Sequence, residues 1–108
     1  MLVLLKTGSV QITDRTVRDS LFTGHLNNIN RLADEGSLVL AGPMGSNPMS
    51  YRGLFLFNVA TVAEAEQLLK TDPAVSAKLF DAEMYQWYGS AAIPEYLKVH
   101  RRIEKRKH

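Results

Sequence analysis

The chain has 108 residues, of which 45% are apolar and 22% are charged, and it contains no cysteine. This length fits one domain, and the apolar content excludes a disordered chain. The lack of cysteine excludes disulfides, thiolate chemistry and cysteine-based zinc sites. The net charge of +2 is unevenly distributed, because residues 94 to 108 carry six Lys or Arg against two Glu.

The first half of the chain predicts a strand, a long helix and a second strand. The run LVLLKTG, which ends at Gly8, is typical of a strand. A helix is expected from about Thr16 to Glu35, with Gly36 as its C-terminal stop. The run SLVLAGP predicts a strand that Gly42-Pro43 breaks. The opening MLVLL is too short for a signal sequence or a membrane span, so we expect a cytoplasmic protein without membrane association.

The second half predicts a strand, two helical segments and another strand. YRGLFLFNV is the third strand, and residues 61 to 71 form a helix with the capping-box spacing of Thr61 and Glu64. DPAVSAKLF starts a short helix, with Asp72 as its cap and a proline in first position. AEMYQWYG is expected to form the fourth strand, and its aromatic residues Tyr85, Trp87 and Tyr88 are interpreted as core.

The last segment of the chain predicts an amphipathic basic helix that Pro94 opens and that runs to about residue 107. A solvated helix face is the favoured interpretation of its charge. Nucleic-acid binding is the weaker alternative, because no aromatic residue interleaves with the basic cluster after Tyr96.

The order of these elements is β-α-β-β-α-β followed by a C-terminal helix. It predicts an α+β fold, a ferredoxin-like sandwich in which the main helices cover one face of a four-stranded antiparallel sheet. We expect a single domain over 1–108, with a core of about 1–90. The strand segments LVLL, LVLA and LFLF do not alternate apolar and polar residues, as a sheet with one wet face should. A second copy of the chain would cover the other face, which predicts a homodimer.

The predicted first helix contains a glycine-histidine pair in a position that would favour alanine and leucine. Leu21, His25, Ile29 and Leu32 follow at helical spacing, so the histidine faces the sheet. A buried imidazole without a partner costs about 1–3 kcal/mol, and a glycine inside a helix costs up to about 1 kcal/mol. Two adjacent violations of local rules indicate a functional site. The alternative is a core histidine that bonds to a backbone carbonyl.

Asp72 is the candidate partner of His25, because the two predicted helices lie side by side on the sheet in this topology. A carboxylate can hold the histidine tautomer and raise its basicity for proton transfer. The alternative role of Asp72 is that of an ordinary helix cap before a proline. One carboxylate can serve both roles.

The loop after the second strand is a candidate binding segment. Gly42, Pro43, Ser46 and Arg52 could bind an anionic or enolate oxygen of a small-molecule ligand, although most glycine-rich loops are only turns. The loop has no nucleotide-binding pattern, and the three histidines show no metal-ligand spacing. The sequence therefore predicts neither a metal nor a cofactor.

The segments GHLNNINRLADEG, SLVLAGP, TVAEAEQLLKTDPAV and MYQW, in this order, resemble the YciI-like (YCII-related) family over about residues 1 to 90. The resemblance implies a dimeric α+β barrel with a pocket near the dimer interface. It also implies a His-Asp pair, which corresponds to His25 and Asp72. Most members have no established reaction, and one branch dehydrochlorinates a chlorinated hydroxyhydroquinone. The loop after AGP and the helix after Pro94 depart from the family pattern.

Two functional hypotheses follow. The first is a cofactor-independent enzyme of lyase, dehydrohalogenase or isomerase type that acts on a small cyclic or aromatic oxygenated compound. His25 would be its general base or acid, and Asp72 would orient the imidazole. The second is a non-catalytic module that senses or carries a small ligand in the same pocket.

Overall fold

The computed structural model describes residues 1–87. These residues form a four-stranded sheet and three helices, with the following bounds: β1 Leu2–Thr7, α1 Arg15–Asp34, β2 Leu38–Pro43, β3 Tyr51–Phe57, α2 Val62–Leu69, α3 Pro73–Ser76 and β4 Phe80–Tyr85. The predicted basic helix after Pro94 lies outside the described residues. None of the helices between residues 1 and 87 is long and apolar enough to cross a membrane.

The strands are ordered β2-β3-β1-β4, and each pair of neighbours is antiparallel. The first and third strands in the sequence thus form the centre of the sheet, with the second and fourth strands at its edges. This is the ferredoxin-like arrangement that the order of elements predicted. The α+β fold class is confirmed.

Local capping sets the ends of the main helices. The Asp14 carboxylate accepts a hydrogen bond from the Val17 backbone N–H at 3.1 Å at the start of α1. After α1 the chain reverses at Gly36, whose φ of +79° lies in the left-handed region. At the start of α2, the Thr61 hydroxyl oxygen accepts a bond from the Glu64 N–H at 3.2 Å and donates one to the Glu64 carboxylate. The predicted capping box is therefore present.

The two faces of the sheet carry different sets of side chains. Alternate residues of β1 and β3, among them Val3, Leu5, Phe55 and Phe57, point to one face. Together with residues of all three helices they form the buried core: Leu32 from α1, Ala65 and Leu69 from α2, and Ala74 from α3. We call this side of the sheet the helix face. The other residues of these strands point to the opposite face, which we call the far face: Leu2, Leu4, Leu54 and Leu56. The second apolar face explains why the strands do not alternate in sequence.

The boundary before β4 and the burial of its aromatic residues differ from the prediction. The short helix ends at Ser76, and the strand begins at Phe80 rather than at Ala82 and ends at Tyr85. Leu2, the first residue of β1, pairs with Tyr85. No residue of β1 is therefore left to pair with Gln86 or Trp87. Tyr85 is 50% exposed and Trp87 is 47% exposed. The interpretation of these two residues as core is wrong, and Tyr88 lies outside the described residues.

Candidate functional site

His25 and Asp72 are in direct contact across the α1–α3 interface. The distance from His25 Nδ1 to Asp72 Oδ2 is 2.5 Å, shorter than an ordinary hydrogen bond. The His25 side chain is 13% exposed and the Asp72 side chain is 1% exposed. On the same side of α1 as His25, Leu32 is buried and Ile29 packs against the core, as the spacing predicted. The structure therefore joins two residues that lie 47 positions apart in the chain.

The two oxygens of Asp72 have different partners. Oδ1 accepts hydrogen bonds from the backbone N–H groups of Ala74 at 2.9 Å and Val75 at 3.4 Å. These bonds cap α3, which begins at Pro73. Oδ2 is directed to His25. The helix cap and the contact with the histidine were alternative roles for Asp72, and the carboxylate makes both contacts.

Gly24 explains how α1 comes close enough to α3 for this contact. A Cβ atom at position 24 would lie 2.6 Å from Cγ of Pro73, closer than real Cβ atoms approach a neighbour. The glycine in the middle of the helix thus has a packing reason. It lies directly before His25, and Pro73 lies directly after Asp72.

Aromatic rings surround the imidazole. The centroid of the His25 ring lies 5.4 Å from that of Phe80 and 5.8 Å from that of Phe55. Phe22, one turn earlier on α1, meets Phe80 edge to face at 5.9 Å. The pair therefore lies in an apolar, aromatic environment, in which electrostatic interactions are stronger than in water.

This geometry determines the tautomer of a neutral His25 imidazole. A carboxylate only accepts hydrogen bonds, so a neutral imidazole bonded to Asp72 carries its proton on Nδ1. The lone pair is then on Nε2, where it can accept a proton from another molecule. A carboxylate that holds the tautomer in this way is a common arrangement for general acid–base catalysis.

The other predicted binding residues lie on the β2–β3 side of the molecule. Gly42 and Pro43 end β2 and pair with Leu54 and Gly53 of β3, and the Arg52 carbonyl accepts a bond from the Met44 N–H at 3.0 Å. Ser46 lies in the exposed loop between the strands. Within the described part of the chain, no hydrogen bond joins any of these predicted residues to His25 or Asp72. Their role in binding stays a prediction.

Asn47 organises this loop, and the sequence analysis did not single it out. Its side-chain N–H₂ donates to the carbonyls of Gly45 at 2.9 Å and Tyr51 at 2.8 Å. Its side-chain oxygen accepts from the backbone N–H groups of Met49 and Tyr51, both at 3.1 Å. Asparagine is frequent in loops because its amide replaces backbone partners. The signal in the sequence was only the residue type.

A second polar cluster, centred on Glu83, lies on the far face. The Glu83 carboxylate accepts bonds from Tyr51 Oη at 2.9 Å, Tyr85 Oη at 3.1 Å and Lys6 Nζ at 3.2 Å. The hydrogen bond from Tyr51, followed by those from Lys6 and Tyr85, lowers the pKa of Glu83. The same carboxylate raises the pKa of both tyrosines, chiefly through the hydrogen bonds that they donate to it. No sequence motif indicated this cluster, because its members come from three strands.

The acidic and histidine side chains of residues 1–87 do not form a larger ligand set. In this range, no group of three or more His, Cys, Asp or Glu side chains is arranged to hold a metal ion. His25 is the one histidine that this range contains, and the other two, at positions 100 and 108, lie beyond it. The described residues thus offer a His-Asp pair rather than a three-ligand site.

The comparisons with known proteins give no family match and a distant structural likeness. No protein-family model matches the chain, and no curated protein matches it. One similar solved structure is 5-chloro-2-hydroxyhydroquinone dehydrochlorinase (TftG) from Burkholderia phenoliruptrix, in complex with 2,5-dihydroxybenzoquinone. It is 22% identical with a TM-score of 0.48, and the match covers 82% of this chain and 96% of that chain. This likeness is too distant to assign a reaction, and membership of the YciI-like family stays a prediction.

Proposed function

We propose that the chain is a cofactor-independent enzyme of lyase or isomerase type, in which His25 transfers a proton and Asp72 orients its ring. The observation that carries the proposal is the 2.5 Å contact between His25 Nδ1 and Asp72 Oδ2. Asp72 is 1% exposed, and a buried carboxylate that binds a histidine is better suited to hold a tautomer than an exposed one. Proton transfer by a positioned histidine requires no further group on the protein.

A small aromatic or cyclic compound is the proposed substrate class. The rings of Phe55 and Phe80, which lie 5.8 and 5.4 Å from the imidazole centroid, belong to the buried core and hold the imidazole in place. The sequence resemblance to the YciI-like family supports the same class, since one branch of that family acts on a chlorinated hydroxyhydroquinone. Oxygen substituents on the substrate would supply the acidic proton.

A lyase reaction with such a substrate balances without an oxidant. The ring carbon that bears chlorine first gains a proton while the hydroxyl group on the adjacent carbon loses one, which gives the keto tautomer with no net change in protons. His25 Nε2 then accepts the proton of the hydroxyl group across the ring from this ketone. The O–H electron pair forms a second carbonyl, the ring double bond shifts, and chloride leaves with the carbon–chlorine bonding pair. The net loss is HCl, and the product is a hydroxyquinone. An isomerase would use the same nitrogen to move a proton between two carbons.

A homodimer is part of this proposal. The far face carries Leu2, Leu4 and Leu54 beside the Glu83 cluster, and it lies opposite the core that the helices of residues 1–87 form. A second copy packed sheet to sheet would remove these side chains from water. Such an assembly would correspond to the dimeric α+β barrel that the family resemblance implies.

The test is a turnover assay of the purified full chain with 5-chloro-2-hydroxyhydroquinone, followed by chloride release and quinone absorbance. His25→Ala should lower the rate about 100- to 10,000-fold, the usual contribution of a general base. Asp72→Asn should also lower the rate. The side-chain oxygen of the asparagine must accept the backbone N–H bonds that cap α3, so the side-chain N–H₂ then faces His25. The imidazole would accept at Nδ1 and carry its proton on Nε2, which ¹⁵N NMR of the ring detects.

Glu35→Gln is the matched control, since it removes one carboxylate from an exposed ion pair with Arg31 at the end of α1. It should keep the wild-type rate and the Nδ1–H tautomer. Binding of the compound without chloride release would favour the non-catalytic module. A His25→Ala variant as active as the wild type would refute the catalytic role of the histidine.

A further inference from the structure

A second close contact joins the same two segments beside the contact between His25 and Asp72. Gly24 precedes the histidine, Pro73 follows the aspartate, and these two residues face each other. A Cβ atom at position 24 would lie 2.6 Å from Cγ of Pro73, 3.6 Å from its Cβ and 3.8 Å from its Cδ. A proline ring is closed onto its own backbone, so its Cγ cannot swing aside as a flexible side chain does.

Glycine is a poor choice for the interior of a helix, and Gly24 lies in the middle of α1. Its φ is not in the left-handed region, since Gly36 is the glycine with positive φ in the described residues. The backbone conformation therefore does not require glycine at position 24. The close approach of Pro73 does.

We infer that Gly24 and Pro73 are positioning residues, which together set the separation of His25 Nδ1 and Asp72 Oδ2. The missing Cβ lets α1 lie directly on the first residue of α3. Any side chain at position 24 would push the two segments apart, and the adjacent 25–72 contact would lengthen with them. Only the rate measurements below rest on the proposed function, because the contact itself can be observed without turnover.

The test is a cycle of three variants: Gly24→Ala, Pro73→Ala and the double variant. Gly24→Ala places a methyl group where Cγ of Pro73 lies. Pro73→Ala removes Cγ and Cδ, so in the double variant the nearest of the three measured atoms is the Cβ of residue 73, at the ordinary contact distance of 3.6 Å. The double variant should therefore regain the close approach that Gly24→Ala loses.

The first measurement is the ¹H and ¹⁵N resonance of the proton between His25 and Asp72, whose downfield position reports a short hydrogen bond. Gly24→Ala should shift it upfield or abolish it, and the double variant should restore it. The second is the turnover rate, which should fall by up to about 100-fold in Gly24→Ala, as expected for a catalytic group displaced by about 1 Å. It should recover in the double variant.

An unchanged resonance in Gly24→Ala would overturn the inference, whatever the rate. If Gly24→Ala does not fold, the double variant decides, and a double variant that is unfolded or lacks the resonance also overturns it. A wild-type protein without turnover would refute the proposed function but leave the resonance test intact. Wild-type turnover with an unaffected Gly24→Ala rate would leave the proposed function standing and remove the positioning role.

Discussion

A carboxylate lies on each side of the sheet: Asp72 at the start of α3 on the helix face, and Glu83 of β4 on the far face. The two carboxylates differ in burial and in hydrogen-bond partners. Asp72 on the helix face is 1% exposed, and one of its oxygens is reserved for His25. Glu83 on the far face is 30% exposed and accepts from a lysine and two tyrosines. Each carboxylate accepts three hydrogen bonds, but all three partners of Glu83 are side chains, whereas Asp72 has one side-chain partner and two backbone N–H partners.

This difference separates a candidate reactive pair from a structural cluster. The imidazole that binds Asp72 retains a second nitrogen that can accept a proton. The donors around Glu83 tie together β1, β3 and β4, and the raised pKa of Tyr51 and Tyr85 holds both phenols in their protonated form. Burial and a single side-chain partner, rather than the number of hydrogen bonds, therefore distinguish the candidate pair from the Glu83 cluster.

Asp72→Ala should give the largest change in stability. It removes the cap of α3, worth about 1 kcal/mol, and leaves the buried His25 nitrogen without its partner, at about 1–3 kcal/mol. We expect the free energy of unfolding in urea to fall by about 2–4 kcal/mol. Asp72→Asn should cost less, since asparagine caps a helix about as well as aspartate. Equal losses in the two variants would contradict a role for Asp72 as the cap.

A charge at the centre of the far face should break the proposed dimer. Static light scattering at micromolar concentration should give about twice the chain mass of 12.1 kDa for the wild type. Leu54→Lys should give the monomer mass, because a lysine would be buried against the second copy. Val62→Lys on α2, at a side chain that is 46% exposed, is the matched control and should remain dimeric. A monomeric wild type would refute the sheet-to-sheet interface.

Glu83→Gln should have the smallest effect, and its effect should depend on pH. The pKa of Glu83 is lowered from 4.5, so its contribution to stability is complete above pH 4.5 and is lost as pH falls through the lowered pKa. The pKa values of Tyr51 and Tyr85 are raised from 10.0, so their contributions are complete below pH 10.0 and are lost as pH rises through the raised values.

The stability difference between wild type and Glu83→Gln should therefore be largest between these limits and should shrink at both ends. Thermal unfolding across pH 3 to 11 measures it, with Glu35→Gln as the control for loss of an exposed carboxylate. A difference that does not vary with pH would mean that the Glu83 charge is not coupled to the tyrosines.

The features that the sequence predicted correctly depend on local pattern. The spacing of Leu21, His25, Ile29 and Leu32 placed the histidine on the buried side of α1, because a helix repeats every 3.6 residues. The Thr61–Glu64 spacing and the Asp72–Pro73 pair located two helix starts, since capping involves residues only a few positions apart. The order of elements then led to the ferredoxin-like arrangement.

The features that the sequence did not predict depend on register between distant segments. The Glu83 cluster requires the pairing of Leu4 with Glu83 and of Lys6 with Tyr51, across a bulge in β1–β3. The end of β4 depends on where β1 begins opposite it. The oddity of Gly24 was visible in the sequence, but its reason, the ring of Pro73, was visible only once the two helices were placed together.

The hydrogen bonds of Asn47 have a consequence for how this protein can diversify. One side chain binds the backbone of the loop over residues 44–50 at Gly45 and Met49 and joins it to Tyr51 at the start of β3, and none of these contacts uses the side chain of residue 46 or 49. Positions 46 and 49 are exposed and can vary without loss of the loop shape. A library randomised at Ser46 and Met49 with Asn47 retained should therefore yield mostly folded members, whereas one that includes position 47 should not.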